Sequence, residues 1–227
     1  ELLKKTAKQI APEIFIHSIT SPEKGWYKTC TIDVIDLKNV SETLPMGRPS
    51  AEGGKASYEA IQKAVELALK DEVTAITTCP INKQSLHLAG YLFPGHTELL
   101  GHLTNSKSPS LMMEGNSLRV VLVTTHLPLD QVKSQITEEK VLQSIRQTNE
   151  WLKKYVTDIP YIAVVGLNPH CGDGGIFGHE ETDFILPAIK TAQQEGIQAS
   201  GPYPADALFQ RMASEKFNAV VCMYHDQ

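Results

Sequence analysis

No stretch of this 227-residue chain is basic enough to hold a polyanion. Lysine and arginine number 21 against 26 acidic residues, and the formal net charge is −5. Nucleic acid and anionic membrane are therefore not expected partners. No apolar run approaches the roughly 20 residues that span a bilayer. The basic, apolar and small-residue order of a secretion signal is missing, so the expected location is cytoplasmic. The four cysteines (Cys30, Cys79, Cys171, Cys222) are scattered without a C-x-x-C pair, which reads as reduced thiols rather than a disulfide framework. Internal repeats, low-complexity tracts and a strict G-x-G-x-x-G fingerprint are absent as well. The chain opens on Glu1, inside the amphipathic segment "ELLKKTAKQIA", so further sequence is expected upstream.

What is present is an alternation. Short apolar runs read as strands: "TCTIDVIDL", "EVTAITTCP" stopped by Pro80, "LRVVLVTTH", "YIAVVGLNPH" and "FNAVVCMYH". Longer amphipathic runs read as helices: "SYEAIQKAVELALKDE", "EEKVLQSIRQTNEWLKKYV", and "ETDFILPAIKTAQQEG" closed by Gly196. Apolar runs without polar alternation suit strands buried on both faces, as in a parallel sheet covered by helices. The expected fold class is α/β.

Three of these strand-like runs end in the same way. His126 follows "RVVLVTT", His170 follows "IAVVGLNP" and His225 follows "NAVVCMY". In open α/β sheets, ligands bind beyond the carboxyl ends of the strands. Imidazole is the common protein ligand for borderline divalent metals, and three such ligands leave positions for substrate oxygens. Magnesium or calcium alone would recruit carboxylates instead. A mixed site including Cys171 or Cys222 is the rival arrangement, although apolar "VVCM" suits a core thiol at Cys222.

Other segments keep two readings each. In "LNPHCGDGGIFGHEE", Gly172, Gly174, Gly175 and Gly178 allow a tight turn, either around a ligand histidine or as an anion cradle before the helix near Glu180. Phe177 stands where a third Rossmann glycine would fall. In "FPGHTELLGHL", His96 and Thr97 open a short helix and either contact an anion or cap and solvate it. Asp206 in "GPYPADALF" is a helix cap or a carboxylate of the site. Lys83 in "CPINKQ" is placed to meet an anionic substrate. His17, His87, His102 and His179 receive no role.

"GHTE", "TTHLPL", "LNPHCGDGG", "GPYPADALF" and "MYHDQ", together with "GRPSAEGGKAS" and "CPINK", resemble the segments of the 4-hydroxythreonine-4-phosphate dehydrogenase (PdxA) family, in the same order and over nearly the whole chain. The resemblance implies a two-domain α/β/α fold like that of isocitrate and isopropylmalate dehydrogenases, here incomplete at both ends. The domains are expected at residues 1–95 and 96–227. It implies NAD or NADP, and a divalent metal held by His126, His170 and His225: zinc first, magnesium or cobalt as alternatives. It makes His96 and Thr97 substrate contacts, and it implies a homodimer whose metal sites draw on both subunits. Asp206 and Lys83 are the candidates for the catalytic base. The implied reaction is oxidation of 4-phosphooxy-L-threonine to 2-amino-3-oxo-4-phosphooxybutanoate, which decarboxylates to 3-amino-2-oxopropyl phosphate, in pyridoxal 5'-phosphate biosynthesis. A paralogous dehydrogenase of 4-phosphoerythronate or D-threonate 4-phosphate is the near alternative, and a metal-dependent hydrolase the remote one. The family's opening "GDPAGIGPE" and everything after "MYHDQ" are missing from this sequence.

Overall fold

The computed structural model describes residues 1–115, 118–211 and 216–227. It divides into two compact units, Glu1–Pro109 and Ser110–Gln227. The division falls after Pro109 rather than near residue 95, so the helix that His96 opens packs in the first unit.

In the first unit, α1 (Leu2–Ile10) leads to two parallel strands, β1 (Phe15–Ile19) and β2 (Thr31–Ile35). Three helices follow: α2 (Ala51–Leu69), α3 (Lys83–Leu88) and α4 (His96–Leu103). Helix α2 starts earlier than its apolar stripe suggests, because the Ser50 hydroxyl accepts a hydrogen bond from Gly53 N at 3.1 Å and caps the first turn. Ile61 and Val65 on that stripe pack with Leu99 of α4. The expected strand in "EVTAITTCP" joins no ladder among the described residues; the sheet of this unit contains β1 and β2 alone. Apolar, β-branched sequence makes a strand only where a neighbour supplies the hydrogen bonds.

The second unit is built on a five-stranded sheet in the order β3-β4-β7-β5-β6. Its strands are β3 (Leu111–Gly115), β4 (Leu118–Leu122), β5 (Tyr161–Val165), β6 (Gln198–Tyr203) and β7 (Ala219–Cys222). Strands β4, β7, β5 and β6 run parallel, and β3 lies antiparallel on the edge beside β4. The helices are α5 (Leu129–Gln135), α6 (Glu138–Tyr155), α7 (Leu186–Gln194) and α8 (Ala205–Arg211). Strand burial is two-sided, as the unalternating sequence requires. Ile162 and Val164 of β5 pack with Ile145 of α6 and Ile189 of α7 on one face. Ala163 and Val165 pack with Leu208 of α8 on the other. Helix α7 is entered through a π turn, Glu181–Ile185, where the sequence suggests continuous α-helix.

Candidate active site at the carboxyl edge of the second sheet

The strand order places the three histidine-bearing ends side by side. β7 lies between β4 and β5 and is parallel to both, so the chain leaves all three strands at one edge. His126, His225 and His170 follow those ends within five residues. Asp206, the second residue of α8, follows the parallel β6 at the same edge and is exposed.

Hydrogen bonds outside the ladders fasten that edge. Val123 N donates to Cys222 O at 2.8 Å, and Thr124 donates twice to Met223 O, from its amide at 3.1 Å and its buried hydroxyl at 2.7 Å. Gln227 joins β7 to β5: its Oε1 accepts from Met223 N at 2.7 Å, and its Nε2 donates to Gly166 O. Gly166 N donates to Tyr203 O at 2.9 Å, which ties in β6.

On this frame the His126 and His225 rings approach to 6.0 Å between centroids, tilted by 36°. Zinc–nitrogen bonds of about 2.0–2.1 Å put the centroids of two ligand rings roughly 5–6 Å apart. The pair therefore fits two ligands of one ion. His225 Nδ1 also lies 3.0 Å from Asp226 Oδ1. His170 does not join them: among the described residues, no three His, Cys, Asp or Glu side chains are grouped closely enough to hold a metal. Cysteine is a poor substitute. Burial pushes the Cys222 thiol up to about 12. Burial, aided by the Glu181 charge, raises that of Cys171.

His170 sits in an unusual turn. Five consecutive residues, His170 to Gly174, have φ between 43° and 80°. The glycines of this segment were legible as turn formers, but His170, Cys171 and Asp173 take the left-handed conformation too. Each costs roughly 1–2 kcal/mol without glycine's freedom. Buried carboxylates compensate. Glu181, only 3% exposed, accepts from Leu167 N at 2.8 Å and Asn168 N at 2.7 Å through Oε1. The Asn168 amide donates to Glu181 Oε2 at 2.9 Å and to Glu180 Oε2 at 2.7 Å. Glu180 Oε1 in turn pairs with Lys133 Nζ of α5 at 2.6 Å. Burial works against the Glu180 charge, but the hydrogen bonds from Lys133 and Asn168 prevail and lower its pKa to about 2. The glycine-rich segment is thus a left-handed turn next to two carboxylates. Phe177 still stands where the third glycine of a dinucleotide fingerprint would fall.

These carboxylates are not among the candidates drawn from sequence, although they carry a signal in it. Glu181 falls four residues before Ile185, and the buried stripe continues through Ala188, Ile189 and Ala192. An acidic residue on an apolar stripe calls for buried hydrogen-bond donors.

The remaining candidates belong to the first unit. His96 and Thr97 open α4 behind Gly95, and the buried His96 Nε2 has no hydrogen-bond partner among the described residues. Lys83 is the exposed first residue of α3, whose cap is Asn82. His17, given no role above, faces Asp33 across the β1–β2 register, with Nδ1 2.6 Å from Oδ1, and stacks on Trp26 at 3.8 Å. No helix among the described residues is long and apolar enough to cross a membrane.

Known proteins resemble the chain along its whole length. A 4-hydroxythreonine-4-phosphate dehydrogenase of Desulforapulum autotrophicum is 45% identical over 214 residues, 93% of this chain and 63% of the relative. A D-threonate 4-phosphate dehydrogenase of Cupriavidus necator is 39% identical over 226 residues, 99% of this chain and 68% of the relative. The crystal structure of a 4-hydroxythreonine-4-phosphate dehydrogenase from Klebsiella pneumoniae superposes with a TM-score of 0.93 at 35% identity, covering 99% of this chain and 70% of that one. The chain therefore has the α/β fold of these dehydrogenases and spans 63% and 68% of the length of the two sequence relatives. The family described as pyridoxal phosphate biosynthetic protein PdxA matches residues 1–227, and this chain belongs to it.

Proposed function

We propose that the full-length protein is an NAD-dependent dehydrogenase of a phosphorylated hydroxy acid, assisted by a divalent metal. The observation that carries this reading is the His126–His225 pair, 6.0 Å apart at the carboxyl edge of a parallel sheet. His126, His225 and His170 hold the ion, and a homodimer supplies one of the three rings from the partner subunit. When bound, the ion supplies Lewis-acid polarisation of the substrate hydroxyl and stabilises the negative charge that develops on decarboxylation. His96 and Thr97 bind the substrate; the buried His96 Nε2 has no hydrogen-bond partner among the described residues. Asp206 or Lys83 accepts the hydroxyl proton as hydride leaves the carbinol carbon for NAD.

The first substrate in this reading is 4-phosphooxy-L-threonine. Oxidation at its 3-hydroxyl gives 2-amino-3-oxo-4-phosphooxybutanoate, and loss of carbon dioxide gives 3-amino-2-oxopropyl phosphate. D-threonate 4-phosphate is the second reading, favoured by relatives of comparable identity that carry that name.

The test is NADH formation by the full-length protein with 4-phosphooxy-L-threonine, D-threonate 4-phosphate and 4-phosphoerythronate, alongside metal content. Wild type is expected to reduce NAD with one of the first two, and His225→Ala to lose both metal and turnover. Unimpaired NADH formation by metal-free His225→Ala would refute the metal assignment. Metal-dependent hydrolysis of these phosphates without NADH would identify a hydrolase instead.

A further inference from the structure

We infer that Glu181 is a positioning residue for His170: its carboxylate is the point around which the left-handed turn carrying that ring is folded. The inference rests on the proposed metal role of His170.

Both ends of the turn close on the same carboxylate. A Cβ added to Gly166 would lie 2.9 Å from Glu181 Oε1, and one added to Gly172 would lie 2.9 Å from Oε2. Between these glycines, Leu167 N and Asn168 N donate to Oε1. These two amides leave the end of β5 with no strand to receive them. The Asn168 side chain donates to Oε2 and closes the set. Every contact requires an acceptor, so an ionised carboxylate matches the turn on both oxygens.

A glutamine in its place would keep one acceptor. Its amide nitrogen would then face the Asn168 donor, or the two backbone donors if flipped. The turn would relax, and the imidazole two residues beyond Asn168 would lose its fixed placement. Lys133, through Glu180 and the same Asn168 amide, steadies the network from α5.

The test compares wild type, Glu181→Gln, Lys133→Gln and His170→Ala in the full-length protein. Zinc affinity is read by calorimetry and ligand arrangement by the visible spectrum after cobalt substitution. Removal of a hydrogen-bond partner of the ligand itself typically weakens metal binding about 10–100-fold, and a residue that acts through the backbone of the turn should stay below that. Glu181→Gln is expected to weaken zinc binding several-fold and to shift the cobalt spectrum, while His170→Ala loses the tight site. A merely structural role would lower the unfolding temperature and leave the cobalt spectrum of the folded protein unchanged. Wild-type affinity and spectrum in Glu181→Gln, with metal lost in His170→Ala, would overturn the positioning role and leave the metal reading standing. Retained tight binding in His170→Ala would overturn both. If Glu181→Gln does not fold, Lys133→Gln, altered at an exposed side chain, decides: several-fold weaker zinc binding supports the inference, and wild-type binding overturns it.

Discussion

Glu180 shows how one residue can carry a charge almost out of water. It is 5% exposed, and burial alone would favour its protonated form. Lys133 at 2.6 Å and the Asn168 amide at 2.7 Å reverse that preference and hold the pKa at about 2, against 4.5 for a free glutamate. A folded-state value below the unfolded one makes the carboxylate stabilising above about pH 4.5, and that contribution is lost as pH falls toward 2. Lys133→Met removes the ammonium, the larger of the two side-chain hydrogen-bond contributions that oppose burial, and leaves the Asn168 amide. The unfolding temperature of the variant should therefore lie below wild type near neutrality, and the gap should close on acidification through that window. Thermal unfolding of both proteins from neutral to acid pH checks this, because other carboxylates contribute equally to each and cancel in the difference. A gap that stays constant with pH would mean that Lys133 does not sustain the Glu180 charge.

Elements were legible where one chemical signal dominated. Unalternating Val and Ile in "YIAVV" and "NAVVC" identified central parallel strands, and the structure buries β5 and β7 on both faces. The 3.6-residue stripe of α6 was equally plain. Elements that depend on partners were not. β3 is an antiparallel edge strand, and "EVTAITTCP" has strand composition but no ladder among the described residues. At the site, strand ends pointed to His126, His170 and His225, and the structure brings the first and last rings together but not that of His170. The left-handed turn and its carboxylates stayed hidden because they depend on contacts between Asn168 and Glu181, thirteen positions apart. Helix packing in the first unit was hidden for a similar reason. Gly54 allows α2 to lie against α3, which no local pattern in the sequence signals. A Cβ there would stand 1.9 Å from the Ser85 carbonyl oxygen, which belongs to the backbone and cannot swing aside. Gly54→Ala should therefore destabilise the first unit by about 1–3 kcal/mol through overpacking, despite alanine's better helix propensity. Chemical denaturation measures it. A neutral or stabilising result would show that α2 and α3 do not approach as described.

For the whole molecule, the distribution of the three rings bears on assembly. His126 and His225 meet within one chain, and His170 does not complete a three-residue group with them. A dimer that shares its metal sites would therefore take His126 and His225 from one protomer and His170 from the other. Mixed dimers of full-length single variants test this directly. A protomer with His126→Ala paired with one carrying His170→Ala retains one complete site, because the second protomer keeps its own His126 and His225 and receives His170 from the first. About half of wild-type turnover should return, since one of the two symmetric sites is whole. His126→Ala paired with His225→Ala leaves both sites one ring short and should stay inactive. Recovery by that second pair would show that His126 and His225 act in different sites, whatever their proximity in the chain. No recovery by any pairing of the three, with mixed dimers isolated intact, would assign all three rings to one protomer and remove the partner subunit from the metal site.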